Sequence, residues 1–154
     1  MITVREEVEH VRSYLVIQKI RYENQFEYAF YVDPETEDYF VPKLVLQPLV
    51  ENALYHGIKL CDRKCMLMIQ VLSHGDKIEM EVLDNGAGMD AETLASVREA
   101  MEHRGENRTN SYGVVNVNDR IQILAGREYG LSFTSEKGMG TSARIVLPKT
   151  LKGA

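Results

Sequence analysis

The stretch Leu46–Gly57, LQPLVENALYHG, decides the fold because its polar residues fall on one side of a predicted helix. At about 100° per residue, the small and apolar residues share one arc: Leu46, Leu49, Val50, Ala53, Leu54 and Gly57. The opposite arc carries amides, a carboxylate, a phenol and an imidazole: Gln47, Glu51, Asn52, Tyr55 and His56. This arc suits a ligand or a metal, although an ordinary amphipathic helix with a mixed polar face is the alternative.

The composition bounds the class of protein. The chain has 154 residues, of which 44% are hydrophobic and 27% charged, as expected for one globular domain. No apolar run approaches the roughly 20 residues that cross a membrane, and the N-terminus lacks the apolar core of a signal peptide. We therefore expect a soluble, cytoplasmic domain. A net charge of -5 without a basic run makes nucleic acid an unexpected partner.

The two cysteines, Cys61 and Cys65, are spaced CDRKC. A zinc site requires further ligands close by, and His74 is the only other soft candidate in the neighbourhood. We therefore expect reduced thiols, as in cytoplasmic proteins, rather than a metal centre.

Residues Thr3 to about Tyr22 are predicted to form a helix with an apolar stripe at Val4, Val8, Val11 and Leu15. Two interpretations of the stripe stay open. It is either a seam against another helix, continuing a helical hairpin that begins upstream, or the face that packs on the helix's own domain.

The remaining segments predict an α/β two-layer sandwich, in which a mixed, mostly antiparallel sheet is covered on one face by helices. Alternation and turn residues place strands at 26–33, 66–74, 77–84, 129–136 and 141–148. Helices are expected at 46–57, 91–103 and 114–125, the last ending at Gly126. Residues 104–111 are polar and are expected to be mobile.

The segment Asp84–Gly88, DNGAG, follows a predicted strand directly. A carboxylate at a strand end can accept a hydrogen bond from an amino group such as that of adenine, and two glycines let the backbone approach a flat ring closely. The alternative is a strand-to-helix turn that uses these residues for its turn chemistry.

A second glycine centre, Ser111-Tyr112-Gly113-Val114, precedes a predicted helix. A helix N-terminus offers free N–H groups and a partial positive charge, so this segment is a candidate phosphate cradle. A helix cap at Ser111 or a simple glycine turn would explain the same residues.

The order of four motifs resembles the gyrase/chaperone/histidine kinase/MutL superfamily of ATP-binding domains. These motifs are the asparagine-bearing helix, DNGAG, the glycine-opened helix and the closing hairpin with Gly140-Thr141. More closely, VPKLVLQPLVENALYHGI and GVVNVNDRIQILAGREYGLSFTSEKGMGTSARIVLP are similar to the ATP-binding domain of LytS/YesM-type bacterial sensor histidine kinases. The resemblance implies the Bergerat-type ATP-binding fold. It divides the chain into an N-terminal helix, residues 1–23, leading from an upstream dimerisation segment, and an ATP-binding catalytic domain, residues 24–150.

The resemblance assigns roles on the opening helix. Asn52 matches the asparagine whose side-chain oxygen binds Mg²⁺. Glu51 matches the acidic neighbour that orients, or accepts a proton from, the attacking histidine. His56 matches a residue beside the phosphates or the ribose.

It also assigns the adenine side. Asp84 matches the aspartate that reads the adenine amino group, Gly86 and Gly88 shape the pocket, and Met89 flanks the base. Thr141 matches a threonine near adenine.

At the triphosphate, Gly113 matches a binding glycine within Ser111–Val114, and residues Arg98–Tyr112 correspond to the lid over ATP. This chain departs from the pattern at Tyr55, where many histidine kinases carry Lys or Arg, and at Ser111, which replaces a glycine. Both departures affect the expected affinity more than the identity of the ligand.

The implied activity is transfer of the γ-phosphoryl group of Mg·ATP to a histidine of an upstream dimerisation segment, and then to a response regulator. None of His10, His56, His74 and His103 lies in the sequence context of such an acceptor. The full-length protein is therefore expected to be a homodimer in the bacterial cell membrane.

Two other functions remain open. A stand-alone ATPase or protein serine kinase of the same fold would act without an upstream segment. A degenerate, non-catalytic interaction domain would explain the departures at Tyr55 and Ser111, but the intact Glu51, Asn52 and Asp84 argue against it.

Overall fold

The computed structural model describes residues 1–102 and 112–150, with Tyr112 described by its backbone alone. The strands are β1 (Ile2–Thr3), β2 (Phe26–Val32), β3 (Phe40–Val41), β4 (Cys65–His74), β5 (Lys77–Asp84), β6 (Gly130–Glu136) and β7 (Gly140–Pro148). The helices are α1 (Val4–Arg21), α2 (Leu46–Asn52), α3 (Ala91–Glu102) and α4 (Tyr112–Ala125). A short 3₁₀ turn at Pro34–Thr36 and a π-helical turn at Ala53–Ile58 complete the described elements.

The main sheet has the strand order β2-β4-β5-β7-β6. Strand β2 pairs in parallel with β4, and every other pair in this sheet is antiparallel. The registers place Asp84, the last residue of β5, opposite Thr141 of β7 and Leu67 of β4. The site residue Asp84 is therefore held in the middle of the sheet rather than at an edge strand.

One face of this sheet is apolar and the other is polar, as expected where helices cover one side. Along β5, Ile78, Met80 and Val82 are buried in the core beneath the helices. On the opposite face Glu81 accepts hydrogen bonds from Gln70 Nε2 and from the Ser142 hydroxyl. The predicted two-layer α/β sandwich, with a mixed and mostly antiparallel sheet, is confirmed.

Helix α1 packs its apolar stripe on its own domain. Val4, Val8, Val11 and Leu15 are buried in the common core, and the helix contacts α2. Thr3 caps the helix through a capping box, in which Glu6 N–H donates to the Thr3 hydroxyl and the Glu6 carboxylate accepts from Thr3 N–H. Of the two interpretations of the stripe, packing on the domain itself is the arrangement found.

A buried carboxylate on α1 holds the start of α2. Glu7 is fully buried and accepts N–H hydrogen bonds from Leu44, Val45 and Leu46 at 3.0, 2.8 and 2.9 Å. The first N–H groups of a helix have no partner within it, so an anion there both satisfies them and complements the helix dipole. Glu7 thereby fixes the helix that carries the site, a role that the sequence did not reveal.

Helix α4 begins earlier than expected, at Tyr112 rather than Val114, and Gly113 lies within its first turn. A glycine tolerates helical backbone angles, and helix starts are the least certain feature of sequence patterns. The predicted end is confirmed, because Gly126 has a φ of 110° and its N–H donates to Gln122 O at 3.0 Å.

Candidate functional site

The polar arc predicted on the opening helix is present, but its backbone changes form midway. The α-helix ends at Asn52, and Ala53–Ile58 form a π-helical turn in which Lys59 N–H donates to Leu54 O, five residues back, at 2.9 Å. The apolar arc is buried and Glu51, Tyr55 and His56 are exposed. π-turns within helices are frequent at functional sites because they re-aim side chains without breaking the helix.

The polar arc meets the first turn of α4 in a cleft of about 170 Å³. Asn52, His56, Gly113 and Val114 line this cleft together with Pro48, Glu51 and Tyr55. The structure therefore brings these candidate residues of two distant segments together. The first turn of an α-helix carries N–H groups without partners inside the helix and a partial positive charge, which suits phosphate oxygens.

Asn52 fits the role of a metal ligand on the geometry of this cleft. Its side-chain amide is half-buried, lines the cleft, and makes no hydrogen bond to any other residue of 1–102 and 112–150. An amide oxygen left free beside a helix N-terminus is a suitable ligand for a hard divalent cation.

His56 is held against Tyr55 in an edge-to-face contact, with 4.9 Å between the ring centroids. Partial burial of the imidazole lowers the pKa of His56 below its ordinary value of 6.5. At physiological pH the imidazole is therefore neutral, so it can donate or accept a hydrogen bond and adds no cation to the cleft. Lys59 lies beside this pair, with its Nζ 4.5 Å from the centroid of the Tyr55 ring.

Asp84 is the centre of a second cluster at the end of β5. The residue is 9% exposed, and its Oδ1 accepts the Gly86 N–H at 2.9 Å. Burial raises the pKa of Asp84 to about 6, against the lowering effect of hydrogen bonds from the backbone of Gly86 and Thr141. A buried carboxylate with unfilled acceptor capacity is a strong recognition group for an amino group on a flat ring.

Glycines build the walls around Asp84. A Cβ at Gly57 would lie 2.6 Å from Asp84 Oδ1, and a Cβ at Gly86 would overlap the backbone of Gly57. Gly140, with a φ of 114°, packs its Cα side against the Asp84 carbonyl. The close approach of these backbones explains why the DNGAG segment needs glycine at its third residue.

The remaining predicted adenine-side residues converge on Ser135. The Ser135 hydroxyl accepts the Met89 N–H at 2.8 Å, donates to Gly140 O at 2.9 Å, and lies 2.8 Å from the Thr141 hydroxyl. Gly88, with a φ of 68°, leaves no room for a side chain against the carbonyl of Glu136. Ser135 thus ties the segment after DNGAG to the closing hairpin.

Gly57 links the polar arc to the Asp84 cluster. It follows His56 at the end of the polar arc, its carbonyl accepts the Ala87 N–H at 3.0 Å, and its Cα faces Asp84. Gly57 therefore connects His56, which lines the cleft, to the Asp84 cluster. The sequence placed Gly57 only on the apolar arc and missed Ser135 altogether; a glycine at the end of a polar helical arc is the signal that could have indicated this contact.

Some predicted residues lie outside the described part of the chain. Ser111 is one of them, as are residues 103–110 of the expected lid, and of Tyr112 only the helical backbone is described. Residues 98–102 form the last turn of α3, where Arg98 Nη2 donates to Phe133 O at 2.7 Å.

Cys61 and Cys65 are free thiols, and Cys65 Sγ donates to Arg63 O at 3.4 Å. Burial and the neighbouring thiol raise the pKa of Cys65 to about 11, whereas hydrogen bonds from Cys65 and the Arg63 backbone lower the pKa of Cys61. Within 1–102 and 112–150, no three histidine, cysteine or acidic side chains are grouped as ligands for a metal ion. In the same ranges, no helix has the length and hydropathy of a membrane span.

Comparison with known proteins places this site in a family. The family described as "Histidine kinase-, DNA gyrase B-, and HSP90-like ATPase" matches residues 38–151, which include both clusters. The sensor histidine kinase YesM of Bacillus subtilis is 34% identical over 148 residues, which are 96% of this chain and 24% of that protein. The sensor protein LytS of Oceanobacillus iheyensis is 30% identical over 96% of this chain and 25% of its own length.

The chain therefore spans about a quarter of the length of the curated relatives it matches. Among solved structures, the catalytic domain of histidine kinase ThkA superposes with a TM-score of 0.70 at 16% identity, covering 98% of this chain and 96% of that one. This likeness confirms the fold, and the similarity to YesM and LytS confirms the resemblance drawn from the motifs. By its sequence over residues 38–151 and by its fold, the chain belongs to the family of histidine kinase-, DNA gyrase B- and HSP90-like ATPases.

Proposed function

We propose that this domain binds Mg·ATP and presents the γ-phosphoryl group to a histidine on an upstream dimerisation segment, as the catalytic part of a two-component sensor histidine kinase. The observation that carries the proposal is that one cleft brings Asn52 to the start of α4, while Gly57, the residue after His56 of that cleft, packs on Asp84. In this assignment residues 1–23 form the helix that leads from the dimerisation segment and residues 24–150 form the ATP-binding domain.

Each cluster has a separate task. Asp84 accepts the adenine amino group, and the close packing of Gly57 and Gly86 holds its carboxylate at the end of β5. Asn52 would hold Mg²⁺ through its amide oxygen, where a divalent cation would supply charge neutralisation for the phosphates. The N–H groups at the start of α4 face the same phosphates, with His56 beside them as a neutral hydrogen-bond partner.

Phosphoryl transfer depends mainly on positioning and on charge stabilisation, so a small set of groups suffices. The unprotonated ring nitrogen of the acceptor histidine forms the N–P bond, and the bond from the γ-phosphorus to the bridging oxygen breaks with its electron pair going to ADP. Glu51, beside Asn52 in the same cleft, accepts the proton from the other ring nitrogen.

Calorimetric titration with ATP, with and without Mg²⁺, tests the proposal. The wild-type chain is expected to bind ATP more tightly with Mg²⁺, Asn52→Ala to lose the Mg²⁺ dependence, and Asp84→Asn to lose adenine recognition. Asp76→Asn makes the same chemical change in the turn before β5, at the far end of the strand, and is the matched control. An absence of binding by the wild type at millimolar ATP would refute the proposal.

A further inference from the structure

A hydrogen-bonded chain runs from α1 across α2 to the proposed proton acceptor. His10 Nε2 lies 2.6 Å from Gln47 Oε1, and Gln47 Nε2 donates to Glu51 Oε1 at 2.9 Å. Gln47 and Glu51 are four residues apart on one helix, whereas His10 comes from another helix 37 positions earlier. The chain therefore joins the two helices at the carboxylate.

The chemistry of the groups fixes the direction of this chain. A carboxylate only accepts hydrogen bonds, so Gln47 must turn its amide nitrogen toward Glu51. Its carbonyl oxygen is then left facing α1, and that oxygen requires a donor. His10 therefore carries a proton on Nε2, and reversing the amide of Gln47 would leave two acceptors facing each other at Glu51.

Glu51 lies where its orientation matters. It lines the 170 Å³ cleft that contains Asn52, and it also lines a second cleft of about 650 Å³ between α1 and the π-helical turn. Tyr55 is the other residue shared by the two clefts. An acceptor histidine that enters from the larger cleft thus meets the Glu51 carboxylate beside the cleft that contains Asn52.

We propose that Gln47 and His10 are positioning residues that hold the Glu51 carboxylate in the orientation that accepts the proton from the acceptor imidazole. This inference rests on the proposed function. Glu51 is an exposed side chain with several rotatable bonds, and without the hydrogen bond from Gln47 it samples other rotamers. Holding the Glu51 carboxylate in one rotamer before the reaction removes this conformational search from the phosphoryl-transfer step.

If these hydrogen bonds were only structural, their loss would lower the free energy of unfolding. The positioning role predicts a different outcome. His10 and Glu51 are exposed, and hydrogen bonds between exposed side chains contribute little to stability because water replaces them readily. Loss of the bonds should therefore leave folding and nucleotide binding almost unchanged. Its effect should appear in the turnover of bound ATP.

Three variants separate the links of the chain. Gln47→Met keeps the shape of the side chain and removes both hydrogen bonds. His10→Leu removes the donor on α1, and His10→Gln restores an amide N–H at a similar reach. Gln70→Met is the matched control, because Gln70 Nε2 also donates to a carboxylate, Glu81 Oε2 at 3.1 Å, on the opposite face of the sheet.

The measurements are calorimetric binding of Mg·ATP and the rate of γ-phosphoryl transfer to free imidazole, used as a diffusible form of the histidine side chain. We expect Gln47→Met to lower kcat by about tenfold, with the KM for ATP and the binding constant within twofold of the wild type. His10→Leu should lower kcat less, His10→Gln should recover it, and Gln70→Met should match the wild type.

The two levels of the proposal fail in different ways. A wild-type chain that binds no Mg·ATP refutes the proposed function. Three other results would overturn the positioning role while leaving nucleotide binding intact. They are a wild type that binds Mg·ATP but transfers nothing to imidazole, a Gln47→Met variant with unchanged kcat, and equal losses of kcat in Gln47→Met and Gln70→Met.

Discussion

Gly57 and Asp84 are in direct contact across the site: a Cβ on Gly57 would lie 2.6 Å from Asp84 Oδ1 and 3.0 Å from its Cγ. Real Cβ atoms do not approach a side chain so closely, and Asp84 Oδ1 is held in place by the Gly86 N–H at 2.9 Å. The glycine at the end of the polar arc is therefore required by the buried carboxylate rather than by the helix itself.

Substitution Gly57→Ala should displace Asp84 and reduce both stability and nucleotide binding. Overpacking of this kind costs about 1–3 kcal/mol in the free energy of unfolding, which urea denaturation measures. Gly113→Ala is the matched control within a helix, because its Cβ would be 3.5 Å from Pro48 Cβ, an ordinary contact. Equal stability of the two alanine variants would contradict the close packing of Gly57 on Asp84.

The raised pKa of Asp84 predicts a stability that decreases with rising pH. Between its ordinary value of 3.8 and about 6, the folded state binds the proton more tightly than the unfolded chain. The free energy of unfolding therefore falls across this window, by about 2–3 kcal/mol at most. Urea denaturation of the nucleotide-free domain from pH 4 to 7 measures the slope.

Asp84→Asn should abolish that slope and stabilise the nucleotide-free domain above pH 6, while it weakens ATP binding. A site that costs stability and gains function is a frequent compromise in enzymes. Asp90→Asn tests the opposite pH dependence of stability. Hydrogen bonds from Thr93 lower the pKa of Asp90, so the ionised Asp90 carboxylate stabilises the fold and this contribution is lost as the pH falls. An Asp84→Asn variant less stable than the wild type at pH 7 would contradict the role of burial.

Glu7→Gln should destabilise the domain by about 1–3 kcal/mol. The amide has one oxygen where the carboxylate has two, and its nitrogen would face the N–H groups of Leu44, Val45 and Leu46. Thermal unfolding measures the loss. Glu6→Gln, in the exposed capping box of α1, is the control and should cost less. A smaller loss for Glu7→Gln than for Glu6→Gln would show that α2 does not depend on this anion.

The sequence predicted most of the elements because their signals are local. Alternation of apolar residues placed β4 and β5, and the turn at Gly75 joined them. Periodicity placed α1, and the glycine at 126 ended α4. The start of α4 and the π-helical turn after Asn52 were missed, since both depend on how the helix packs against its neighbours.

The candidate site was predicted by type rather than by arrangement. The motifs indicated Asn52, Asp84 and Gly113 as binding residues, and the structure places Asn52 and Gly113 on one cleft with Asp84 behind Gly57. Glu7 and Ser135 carried no comparable signal, because their partners are far away in sequence, and the sequence named Gln47 only as one member of the polar arc.

By itself, the sequence LQPLVENALYHG determined that a helix would present a polar arc, because side-chain periodicity follows from the backbone geometry of each residue. The rest of the sequence determined the order of the glycine motifs that identify the family. Only the tertiary structure decided three contacts of this helix. Glu7 of α1 accepts hydrogen bonds from the N–H groups at its start, His10 is hydrogen-bonded to Gln47, and Gly57 packs against Asp84. Those relationships join segments far apart in the chain, so they depend on packing and on the pairing of buried polar groups rather than on local propensity.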